Sequence, residues 1–171
     1  MFDQSARFFA CDDSVKSKVP FSSANNAGWE KMSQVRPSTG AADCKESYQM
    51  QFGQNMVGKW LDDEDLPGFK AASLAFMHRI QHVSEQLMVC FARGLGFPDD
   101  YFVKVHDISR PDSQTVARLL HYFETPKSTN GEVYHRAGAH TDWDLLTLLF
   151  QKAGQSGLEV SLPLLQYIVN H

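Results

Sequence analysis

Residues 139–151 read Ala139-His140-Thr141-Asp142-Trp143-Asp144-Leu145-Leu146-Thr147-Leu148-Leu149-Phe150-Gln151. In an extended segment, residues i and i+2 project to the same face. His140 and Asp142 are therefore expected to point together, with Thr141 on the other side. Gly138 offers a loop-to-strand entry, and the run from Leu145 to Phe150 is a β-type stretch able to be buried on both faces. One imidazole beside one carboxylate supplies two of the three ligands of a 2-His-1-carboxylate facial triad, whose open positions suit Fe(II). The bare His-x-Asp spacing is weak by itself, because 7 His and 20 Asp+Glu in 171 residues produce it readily by chance. Its context has to decide.

Upstream, Val116 to Phe123 alternates as a strand, with Val116, Arg118, Leu120 and Tyr122 on one face and Ala117, Leu119, His121 and Phe123 on the other. Residues 124–138 form a loop marked by Pro126, Asn130-Gly131 and Gly138. Further back, Phe76, Ile80, Val83, Leu87 and Phe91 recur at helical spacing. They predict a long helix over about 69–95 with that stripe facing the core. Gly94, Gly96 and Pro98 supply its stop. Cys90 and Met88 read as core filler. His78 and His82 stand at i, i+4, which suits a shared metal, but neither has an acidic partner at a matching offset and both read as solvated. A short helical start is expected at Asp99 to Phe102. Residues 1–20 begin with a short apolar-periodic piece, Phe2, Phe8 and Phe9. Residues 21–45 read as loop with one short strand near Trp29 to Val35, and residues 46–68 as irregular, with Asp62 to Asp65 a solvated acidic turn.

Composition sets the outer limits. Hydrophobic residues make up 43% and charged residues 21%, the balance of a soluble fold of one domain's size. The formal charge is −4 with no basic stripe, which argues against a nucleic-acid partner. Apolar runs stay far below the ~20 residues a bilayer requires, so no membrane partner is expected. No secretory signal is visible. Cys11, Cys44 and Cys90 are odd in number and widely spaced, and read as reduced thiols of a cytoplasmic chain.

Several segments resemble a known family. RAGAHTDWDLLTLLFQ (136–151) followed by SGLEV (156–160) is similar to the iron- and 2-oxoglutarate-dependent oxygenases of the isopenicillin N synthase-like group. RLLHYFETP (118–126) resembles that family's strand ahead of the metal motif. FFACDDSVKSKV (8–19), NAGWEKMSQVRPSTGAADCKESYQM (26–50) and ARGLGFPDDYF (92–102) resemble its N-terminal region and long helix. The resemblance runs over roughly residues 2–160, with the motifs in the family's order.

The resemblance implies an α+β chain: a partial double-stranded β-helix, or jelly roll, with N-terminal helices including the long one. It implies Fe(II) held by His140, Asp142 and a later histidine. 2-Oxoglutarate would serve as the co-substrate, converted to succinate and carbon dioxide while a small organic substrate is oxidised. By position, Tyr122 matches a family tyrosine that touches the co-substrate, although position 120 is Leu where plant members often carry Asn. Residues 1–68 correspond to the N-terminal region and 69–160 to the long helix and first core strands, while 161–171 match nothing in the family. Past Arg136 no arginine occurs, so the co-substrate Arg-x-Ser pair is missing. His171 is the only histidine after the motif, and His135, upstream in the loop, matches no family position. The expectation is a chain truncated at both ends, with little or no turnover. The alternative is a non-catalytic fragment that acts by associating with another chain through exposed sheet edges.

Overall fold

The computed structural model describes residues 1–35, 42–124, 136–137 and 140–159. Helix α1 spans Phe2–Phe9 and the single-turn helix α2 spans Asp13–Lys16. Strands β1 (Gly28–Lys31), β2 (Lys45–Met50) and β3 (Ala117–Tyr122) form an antiparallel sheet in the order β1-β2-β3. Helix α3 spans Phe69–Gly94, and 3-10 turns occupy Gly53–Met56 and Val103–His106.

Strand β2 organises the sheet. Tyr48 lies opposite Trp29 on β1 and opposite Leu119 on β3. Every residue of β2 is buried, on both faces. On one face Tyr48 and Met50 meet the helices. Phe8 stacks on Tyr48 with ring centroids 4.4 Å apart, and Phe69 closes the cluster 5.3 Å from Phe8. The Tyr48 hydroxyl donates to the Lys59 carbonyl, and burial pushes this phenol well above its ordinary pKa. On the other face Lys45, Ser47 and Gln49 pair with Asp43, Glu30, Asn26 and Arg118. The expectation that residues 46–68 are irregular fails at 46–50, which belong to β2, and holds for 51–68, which carry only turns and one 3-10 turn. In Lys45–Met50 only Tyr48 and Met50 are apolar, and they alternate with polar residues over too short a run to mark the strand. Burial is tolerated because each side chain finds a partner. Strand β1 is shorter than expected, and Val35 makes only an isolated bridge to Ala42. At Gly28, φ is +114° and an added Cβ would overlap the Pro20 carbonyl, so only glycine fits where the 19–21 segment lies against β1.

The long helix forms where its periodicity predicts, between Gly68 and a Schellman stop. Phe97 N–H donates to the Ala92 carbonyl (2.8 Å) and Gly96 N–H to that of Arg93 (3.2 Å), with Gly96 at φ +77°. Its buried face is a different one, however: Phe69, Ser73, Met77, Gln81, Met88 and Ala92. The expected stripe sits to one side, with Val83 and Phe91 exposed. Periodicity shows that a helix has an apolar face but cannot choose between two adjacent faces; here the face carrying Phe69 and Met77 joins the core of Phe8 and Tyr48. Cys90 is exposed rather than core, whereas Met88 is buried as expected. His82 does meet an acidic group, with Nδ1 4.0 Å from Glu85, and His78 lies against Phe52. Residues Asp99 to Phe102 form turns that lead into the 3-10 helix.

The strand expected over 139–151 is not formed in the described part, residues 140–151. A strand needs a ladder partner for its backbone groups, and among the described residues none pairs with this segment. Leu149 and Phe150 are consequently half exposed, and Phe150 makes an edge contact with Phe76 of the α3 stripe at 5.7 Å. Among the described residues no helix is long and apolar enough to cross a membrane, and all three cysteines are free.

Candidate functional site

The segment carrying His140 and Asp142 is tied to the sheet just ahead of β2, where Cys44 N–H donates to the Arg136 carbonyl (3.0 Å). Cys44 in turn accepts from Phe123 N–H (3.1 Å) at the end of β3, so the sheet brackets the entry to the motif. Within the motif His140 Nε2 stands 3.5 Å from Asp142 Oδ1, and both side chains are about half exposed. The two side chains thus share one side, as i and i+2 spacing requires, although no ladder holds them.

Imidazole nitrogen and carboxylate oxygen each approach a divalent transition metal to ~2.1 Å. Two such ligands around one ion lie no more than ~4.2 Å apart, and the observed separation falls inside that span. The donor chemistry, borderline nitrogen with hard oxygen and no thiolate, suits divalent first-row metals, ferrous iron among them. Among the described residues no group of three His, Cys, Asp or Glu converges on one point. His135 and His171, the other histidines flanking the motif, lie outside the described residues.

Tyr122 occupies the last position of β3, opposite Lys45 of β2. Opposed residues of an antiparallel pair share a face. Tyr122 therefore lies on the polar face with Ser47, Gln49 and Arg118, away from the Phe8–Tyr48 core. The Arg136 guanidinium sits 5.9 Å from the Tyr122 ring, linking this tyrosine to the chain that leads into His140.

Two polar constellations escaped the sequence reading. Glu46, on the core face of β2, accepts from Lys16 Nζ (2.9 Å) and Trp29 Nε1 (2.8 Å), and meets His121 Nδ1 (2.9 Å). Asp144, two residues past Asp142, lies at φ +76° in the left-handed region. Its Oδ1 accepts from Leu145 N–H (2.8 Å) and meets His106 Nε2 (3.1 Å). The other ring nitrogen, Nδ1, faces the Phe102 carbonyl at 2.8 Å. Both contacts are hydrogen bonds together only when both ring nitrogens carry protons. The His106 bond holds the Asp144 carboxyl below its ordinary range against the opposing effect of burial. These partners are separated by tens of residues, and no local pattern announces them.

The chain is 36% identical over 135 residues to the proline hydroxylase buaE of Petromyces alliaceus, covering 78% of this chain and 41% of that protein. It is 30% identical over 177 residues to the 2-oxoglutarate-dependent dioxygenase frbA of Dothideomycetidae sp., covering 93% of this chain and 50% of that protein. A full-length Neurospora crassa protein, solved in complex with alpha-KG and thymine, matches with a TM-score of 0.56 at 28% identity, over 71% of this chain and 40% of that one. No protein-family model matches. The chain spans about half the length of the curated relatives it matches. It belongs to the superfamily of 2-oxoglutarate-dependent dioxygenases.

Proposed function

We propose that this chain carries part of a non-haem Fe(II)- and 2-oxoglutarate-dependent oxygenase of the isopenicillin N synthase-like group, acting on a small organic substrate. The observation that carries the reading is the 3.5 Å approach of His140 Nε2 to Asp142 Oδ1, in a chain whose relatives include a 2-oxoglutarate-dependent dioxygenase. His140 would bind iron through Nε2 and Asp142 through a carboxylate oxygen. A bound Fe(II) ion would supply open coordination positions for 2-oxoglutarate and dioxygen. Tyr122 would present its hydroxyl to the co-substrate from the polar face of the sheet, where Arg136 covers its ring. The β-sheet would be the opening part of a double-stranded β-helix. In this division residues 1–68 are the N-terminal region, 69–160 the helix and first core strands, and 161–171 a tail that the family resemblance does not reach. Unpaired thiols fit a cytoplasmic setting.

Turnover is proposed to be low, because among the described residues no third His, Cys, Asp or Glu joins His140 and Asp142, and two ligands hold ferrous iron weakly. The test is release of succinate from 2-oxoglutarate by the purified chain with ferrous iron. A low rate abolished by Asp142→Ala is expected. Release indifferent to that substitution overturns the oxygenase reading, and robust release overturns the low-turnover part alone.

A second reading has its own observation. Leu149, Phe150 and Leu158 are each more than half exposed, and β1 and β3 are edge strands among the described residues. On this reading the chain is a non-catalytic fragment that self-associates or pairs with another chain by covering these surfaces.

A further inference from the structure

We propose that His106 and Asp144 form a latch that positions the His140–Asp142 pair for a divalent metal, a role that rests on reading that pair as iron ligands. An exposed His–Asp contact alone would mean little. This one has three features that set it apart.

The first is backbone conformation. Asp144 adopts φ +76°, a region that a Cβ disfavours, at the turn immediately after the metal motif. Its carboxylate accepts from the N–H of its own neighbour, Leu145, and from His106, so the same oxygen that completes the turn also fastens it to another element. The second is the anchoring of His106. Its ring is held at both nitrogens, by Asp144 and by the Phe102 carbonyl, and its side chain is largely buried. The third is what stands behind it. The 3-10 turn Val103–His106 continues from the Schellman stop of α3 through the ring cluster of Phe97, Tyr101 and Phe102, with Phe97 and Tyr101 stacked at 4.3 Å. The latch therefore fastens a segment that lacks strand pairing to the end of the longest helix. His140 and Asp142 lie four and two residues before Asp144, so fixing the turn limits where both ligands point. His106 and Asp144 touch no reacting atom. They are positioning residues.

The experiment titrates the full chain with Mn(II), read by loss of the free-ion electron paramagnetic resonance signal, alongside hydrogen exchange at the Leu145 amide. His106→Leu is expected to weaken Mn(II) binding by roughly tenfold and to speed Leu145 exchange. Asp144→Gly, which accepts the left-handed backbone without cost but has no carboxylate, is expected to do the same while the protein still folds. Asp144→Asn, which tolerates that backbone and keeps an acceptor oxygen, is expected to restore both readouts towards wild type. Wild-type Mn(II) affinity and wild-type Leu145 exchange in both His106→Leu and Asp144→Gly overturn the latch. Equal Mn(II) binding by wild type and Asp142→Ala overturns the metal reading instead. That result is separable, because Leu145 exchange reports the latch without any metal.

Discussion

Glu46 keeps a carboxylate in a position only 2% exposed because Lys16, Trp29 and His121 converge on its two oxygens. Burial pushes its pKa up. The bonds from His121, Lys16 and Trp29 together outweigh that, and the carboxyl titrates below its ordinary value. For Lys16, burial lowers the pKa and the bonds to Glu46 and Asp13 raise it more, so the ammonium is favoured. The consequence for stability follows from linkage. A carboxyl whose pKa is depressed by folding stabilises the fold above its unfolded pKa, and that contribution is lost as pH falls through the lower folded value. Glu46→Gln should therefore lower stability near neutral pH by roughly 3 kcal/mol, because it leaves a buried ammonium with only the half-exposed Asp13 carboxylate as counter-charge, beside the Phe9 carbonyl. It should also flatten the decline of stability between about pH 5 and pH 2. Chemical denaturation across that range, wild type against variant, checks both. Nothing local in Lys45-Glu46-Ser47 foretells this, since Lys16 and His121 reach Glu46 from elements 30 and 75 residues away.

At the scale of elements, α3 shows what periodicity conveys and what it leaves open. Its span was legible from apolar spacing and from the Gly96–Pro98 stop. Its packing face was not, and the buried side includes Ser73 and Gln81. The Ser73 hydroxyl is fully buried with no hydrogen-bond partner among the described residues. Ser73→Ala removes an unsatisfied polar group and improves helix propensity. It should stabilise the chain by ~1 kcal/mol, seen as a rise in Tm of about 3 °C. A fall in Tm would mean that the hydroxyl has a partner after all. Strand β3 was legible because Leu119 and Ala117 alternate against a polar face. Strand β2 was not, because its apolar alternation is confined to Tyr48 and Met50 and the rest of its burial rests on paired polar side chains.

Across the whole molecule, aromatic packing of Phe8, Tyr48, Trp60 and Phe69 joins two helices to one face of the sheet. The segment 140–159 instead leaves much of its apolar surface to solvent. If that surface drives association, as the second reading holds, Leu149→Lys should shift the chain towards monomer in light scattering coupled to size exclusion. An unchanged mass distribution would count against the surface as the driver. The same substitution lies away from His140 and Asp142 and should leave Mn(II) binding as in wild type.

The sequence alone determined the long helix, strand β3 and the His140–Asp142 pairing, because each depends on spacing along the chain: period 3.6, period 2, and i to i+2. The family resemblance was legible for the same reason, being an order of linear motifs. Tertiary structure alone decided which face of α3 is buried and, among the described residues, that Lys45–Met50 is the central strand and that residues 140–151 find no ladder partner. It also decided that His106 meets Asp144 and that three donors converge on Glu46. Those outcomes depend on partners distant in sequence, and the free energy of burying or pairing a side chain is set by what finally stands next to it.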